Sequence, residues 1–165
     1  MKREYLIFGQ ELKVLVLVDG SNMKEFHFKS KGRIEYNPAR GNLKKKPDWW
    51  AILHCSEEIT RYYRYWVYKR YHIPLSKPSW GSHISIIRGE KPYDDQMHFW
   101  KKYDGLEVEF EYSHNVRQSG DTTGWDRPDS YWFVDVKCDF LIDIRKELNL
   151  KYDYGLHMTI GRTWL

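Results

Sequence analysis

Ser82-His83-Ile84-Ser85-Ile86-Ile87-Arg88 is the stretch on which the reading of this chain turns, because the chain nearly repeats it at its end as His157-Met158-Thr159-Ile160-Gly161-Arg162. Each copy reads histidine, apolar residue, hydroxyl residue, isoleucine, any residue, arginine. Side chains two apart share a face of a β-strand. His83 and Ser85 then point one way, while Ile84 and Ile86 point into a core. His157 with Thr159, against Met158 with Ile160, repeats the arrangement. Two such strands facing each other would form a symmetric, metal-free site for a phosphodiester.

An isolated His-x-Ser/Thr is usually plain strand sequence. Two copies agreeing at four positions, in a chain with only 7 histidines, call for more than chance. A histidine titrates near a pH of about 6.5, so one imidazole can take a proton while the other gives one. Ser85 and Thr159 would donate to non-bridging phosphate oxygens. Arg88 and Arg162 lie five positions past their histidines, so a regular strand turns them to the opposite face. Only a bend or bulge brings them into the site.

The rest of the composition sets limits. At 165 residues the chain suits one domain with a sizeable core. Aromatic residues make up 17%, with 8 Trp and 13 Tyr, and such rings serve as cores or as stacking platforms. Trp80, Trp125 and Trp164 are the candidates for stacking a base. A net charge of +4 suits a phosphate-bearing ligand and falls short of a long nucleic-acid track. The 2 cysteines, Cys55 and Cys138, fit neither a zinc spacing nor a disulfide framework, and no cofactor motif is present. No apolar run approaches the ~20 residues of a membrane span, so the sequence reads as cytoplasmic with no membrane partner.

Along the chain, residues 4–8 and 12–18 read as strands, and Lys24 to Tyr36 as an exposed strand pair bent at Lys31-Gly32. The Gly-, Pro- and Lys-rich stretch from Asn37 to Pro47 marks a boundary. A long amphipathic helix is expected from Asp48 to Tyr71, ended by Ile73-Pro74. A short helix follows over 93–102 and a strand over 106–110. Residues 113–130 read as a loop, with Arg117, Trp125 and Arg127 in a lid over a ligand. A strand over 131–136, a helix over 139–148 and the second motif strand complete the chain. The division is a β-rich extension, residues 1–46, and a core, residues 47–165.

The pair His83-Ile84-Ser85-Ile86 and His157-Met158-Thr159-Ile160 resembles the signature of the 2H phosphoesterase superfamily. That resemblance implies an α+β, bilobal, pseudo-two-fold LigT-like fold, with antiparallel sheets flanked by helices. It implies His83 and His157 as the acid/base pair, with Ser85 and Thr159 on the phosphate. Ser85 stands where the family more often has threonine. The run Pro78-Ser79-Trp80-Gly81-Ser82-His83 through Pro92 is most similar to phage anti-CBASS members, which degrade cyclic di- and trinucleotide messengers in the bacterial host. The expectation is thus a metal-independent phosphodiesterase, with Trp80, Arg88, Trp125, Arg162 and Trp164 binding substrate. The alternatives are an RNA 2′,3′-cyclic or 2′–5′ phosphodiesterase and a nucleotide sponge that does not cleave.

Overall fold

The computed structural model describes residues 5–7, 10–12, 25–39, 47–121, 129–153 and 155–163. Strands β1 (Tyr5–Ile7) and β2 (Gln10–Leu12) form a separate antiparallel pair. The remaining strands are β3 (Phe26–Tyr36), β4 (Trp50–His54), β5 (His83–Arg88), β6 (Glu107–Asp121), β7 (Asp129–Lys137) and β8 (His157–Thr163). They close into one barrel in the order β3-β4-β5-β8-β7-β6, antiparallel throughout. Helix α1 (Glu57–Tyr71) follows β4, and α2 (Asp139–Glu147) follows β7. A 3-10 helix at Asp94–Phe99 lies between β5 and β6.

The alternation seen in the sequence becomes a set of rows around the barrel. Ile34 pairs with Leu53, Leu53 with Ile84, Ile84 with Met158, Met158 with Val134, and Val134 with Val116. This row crosses all six strands. Ile34, Leu53, Ile84, Val134 and Met158 are almost wholly buried. Tyr63 and Val67 of α1 and Leu141, Ile144 and Leu148 of α2 join the same core. Directly opposed residues share a face, so the neighbouring residues on each strand turn to the other face. That other face carries the polar side chains.

Both helices begin and end as their chemistry dictates. The Ser56 hydroxyl accepts from the Glu58 N–H at 3.3 Å and caps α1, with Glu57 and Glu58 at the positive end of the helix dipole. His72 in the left-handed region, at φ 57°, closes the other end. Asp139 opens α2, and Arg145 and Lys146 lie in its last turn.

The bilobal LigT-like expectation is overturned by strand pairing. In that arrangement the two motif strands belong to separate lobes. Here β5 and β8 are hydrogen-bonded neighbours in a single closed sheet. Strand β3, which lies within residues 1–46, pairs with both β4 and β6 and closes the barrel.

Three local expectations change as well. Trp50–His54 is a strand rather than the start of a long helix. Its Trp50, Ala51, Ile52 and Leu53 are buried on both faces, which produces an unbroken apolar run without alternation. Residues 26–36 form one continuous strand rather than a bent pair. Strand β6 extends to Asp121, so Arg117 sits on a strand and not in a lid. Trp125, Arg127 and Trp164 lie outside the described residues.

Candidate functional site

The polar face takes its shape from one register point. Ile84 and Met158 are directly opposed. In an antiparallel ladder the residues on either side of such a pair are also opposed. His83 therefore faces Thr159, and Ser85 faces His157. All four point to the face opposite the apolar row, with cross-strand Cβ separations of about 4.5–5.5 Å. The two imidazoles occupy one diagonal of a square and the two hydroxyls the other.

The flanking strands extend this square into two polar rows. Along one row, Arg33 pairs with His54, His54 with His83, Thr159 with Phe133, and Phe133 with Arg117. Along the other, Glu35 pairs with Ile52, Ile52 with Ser85, and His157 with Asp135. The Glu35 carboxylate meets His54 Nε2 in a very short contact. Arg117 donates to both oxygens of Asp135, at 3.1 and 2.9 Å, and lies over the Phe133 ring at 5.2 Å. Phe133 in turn meets the His157 ring edge-on at 5.5 Å.

Each motif imidazole is held in the same way. His83 Nδ1 lies 3.0 Å from the carbonyl oxygen of Gly81, and His157 Nδ1 lies 3.2 Å from that of Gly155. A carbonyl can only accept, so Nδ1 carries the proton in both rings and Nε2 lies at the other edge. The start of β5 is fixed by α1. The Glu57 carboxylate accepts from the Ser82 N–H at 2.7 Å, and the Thr60 and Ser82 hydroxyls bond at 2.5 Å. Gly81, at φ 74°, permits this turn, since a Cβ there would strike the Glu57 carboxylate.

The arginines reach the polar face through two matched bulges. On β5, Ser85 pairs with Ile52 and Ile87 with Ala51, which leaves Ile86 as the extra residue. On β8, Thr159 pairs with Phe133 and Gly161 with Trp132, which leaves Ile160 extra. One added residue reverses the alternation that follows it. Ile86 and Ile87 are both buried, as are Ile160 and Gly161, and the arginine after each pair returns to the histidine face. Arg88 pairs with Trp50, while Arg162 pairs with Tyr131 and lies over its ring at 5.1 Å.

A bulge removes a carbonyl from the ladder, and here each one is met by a helix arginine. Arg145 of α2, almost wholly buried, donates from Nη1 to Ile86 O at 2.8 Å. It also donates from Nε to Lys151 O and from Nη2 to Glu90, both at 2.6 Å. Arg64 of α1 donates from Nη1 to Ile160 O at 2.9 Å. Partial burial draws the Arg64 pKa below the ordinary arginine value. Sequence reasoning missed both arginines, because a helix arginine reads as surface by default. Trp80 meets Trp50 edge-on at 5.6 Å, which places it beside the end of β4 on this face.

Among the described residues, no group of three or more His, Cys, Asp or Glu side chains is placed to hold a metal ion. Comparison of the chain with protein families, curated proteins and solved structures finds no match.

Together with the barrel, that result overturns the resemblance to 2H phosphoesterases. The phosphodiesterase activity on cyclic messengers, the anti-CBASS role, the RNA-processing alternative and the nucleotide sponge rested on that resemblance. They fall with it, because no feature of the described residues assigns bond cleavage.

Proposed function

We propose that the polar face of β5 and β8 binds a ligand through a phosphate group. The observation that carries this reading is the cross-strand square of His83, Ser85, His157 and Thr159 on one face of adjacent strands. Two hydroxyls and the Nε2 edges of two anchored imidazoles supply hydrogen-bond donors to a tetrahedral anion when the rings are protonated. Arg88 and Arg162, returned to this face by the two bulges, add cationic charge. Arg33 and Arg117 extend it along the neighbouring strands, and the balance over Glu35 and Asp135 favours an anion.

Calorimetric titration with inorganic phosphate and with dimethyl phosphate tests the proposal. Saturable binding that weakens in Ser85→Ala and Thr159→Val is the expected result. Folded protein that takes up neither anion would overturn it.

A further inference from the structure

Between Glu58 and Glu90 the chain carries no aspartate or glutamate, yet it carries Arg61, Arg64, Lys69, Arg70, Lys77 and Arg88. Much of this run is helix α1. Thr60, Tyr63 and Val67 bury one side of the helix. At about 3.6 residues per turn, Tyr62, Tyr65 and Lys69 occupy the opposite side, with Arg61 and Tyr68 at its flank. Tyr62, Tyr65, Tyr68 and Tyr71 are 36%, 43%, 51% and 45% exposed. Successive rings of this stripe rise by about 4.5 Å along the helix axis.

Both acids of the helix sit in its first turn and are engaged there. Glu57 accepts from the Ser82 N–H, and Glu58 pairs with Arg61. Beyond them every charged side chain of α1 is a cation. Lys69 Nζ lies 5.5 Å from the centre of the Tyr65 ring, so a cation and a π-face stand together in the middle of the stripe. The chain after the helix adds another cation. A Cβ on Gly161 would crowd Ser76 O, Leu75 Cβ and Arg64 Cδ, so residues 75–76 run beside Arg64 and bring the exposed Lys77 after them.

We infer that this face of α1 binds a short single strand of nucleic acid. Exposed rings interleaved with cations match the alternation of bases and phosphates, and the match tolerates any sequence. Other partners fit less well. Membrane surfaces and protein grooves are engaged by apolar anchors such as Leu, Phe and Trp. Among the described residues of α1, every exposed uncharged side chain is a tyrosine. An acidic peptide would answer the cations and leave the rings unused. A duplex hides its base faces in its own stack. Helix α1 packs through Tyr63 and Val67 into the core that Ile84 and Met158 also fill, so its outer face is turned away from the histidine square and uses none of its residues.

The test uses the full chain and a fluorescein-labelled oligo(dT) of about 12 nucleotides, followed by anisotropy, in the parent and in Ser85→Ala/Thr159→Val. Saturable binding is expected in both, with its logarithm falling linearly in the logarithm of salt concentration. Tyr65→Ala and Tyr68→Ala, at exposed positions where folding is not at stake, should each weaken it about tenfold. Lys69→Gln should flatten the salt slope by about 0.7. No saturable binding at about 50 mM salt would overturn the inference, as would unchanged affinity in both tyrosine variants. Displacement by polyglutamate as effective as by unlabelled oligo(dT) would overturn it too, since charge alone would then be read. A dimer seen by sedimentation and dispersed by Tyr65→Ala would assign the face to a second copy of the chain instead. Binding lost in Ser85→Ala/Thr159→Val alone would place the strand on the histidine square, overturning the assignment to α1 and sparing the phosphate proposal. Failure of phosphate to bind that square leaves every expectation for α1 in force.

Discussion

Ile84 and Met158 stand directly opposite each other across β5 and β8, and this one pair sets the faces of both motifs. A slip of one residue would carry His83 or His157 to the apolar side. The pair also lies in the middle of the buried row that runs from Ile34 to Val116. The same contact that packs the barrel therefore assembles the polar square on its other face.

Met158→Ala should destabilise the fold by about 3 kcal/mol, since deleting a fully buried methionine side chain leaves a cavity in a close-packed row. The midpoint of urea unfolding is the measurement. Met158→Leu, which conserves volume, should cost less than about 1.5 kcal/mol. An alanine variant as stable as the parent would mean that this register is wrong.

Arg145→Ala should cost about 3 kcal/mol, because it strands Ile86 O, Lys151 O and the Glu90 carboxylate together. Arg64→Ala, which removes the bond to Ile160 O from a partly exposed side chain, should cost about 1 kcal/mol. Both variants should also weaken phosphate binding, through loosened bulges and misdirected Arg88 or Arg162. Loss of stability with unchanged phosphate affinity would limit these arginines to a structural role.

Stability should decline steeply in alkali. Burial pushes the Cys55 and Cys138 thiols and the Tyr36 and Tyr63 phenols above their ordinary values. The unfolded chain releases these protons first, at a pH of about 8.5 for thiols and about 10 for phenols. Above those values the unfolded state binds fewer protons than the folded one, so unfolding is favoured as pH rises. Thermal midpoints between pH 7 and 10.5 should fall, with thiol labelling slow until the protein unfolds. A flat profile over that range would contradict the assigned burial.

The strand character of both motifs was legible from alternation alone, as was α2 from Phe140, Leu141, Ile144 and Leu148. The neighbouring of β5 and β8 was not, because pairing between segments so far apart in sequence leaves no local trace. Strand β4 was hidden by its own burial: Trp49, Ile52, Leu53 and Ile59 fit a helical stripe, and only tertiary packing breaks it. The bulges were named as a condition for Arg88 and Arg162 but carry no residue signature, since Ile86 and Ile160 are ordinary strand residues. The carbonyl clamps of Arg64 and Arg145 depend on helix placement. The Trp49–Trp100 ring contact joins residues far apart in sequence, and likewise depends on tertiary packing.

The most direct measurement is a titration with dimethyl phosphate at pH 6.5, following the ring nitrogens of His83 and His157 by ¹⁵N NMR. The account predicts that both Nε2 signals move with a single dissociation constant, and that His157→Ala weakens the His83 response by about tenfold. If His83 responds identically without His157, or neither ring responds, the square does not act as one anion site.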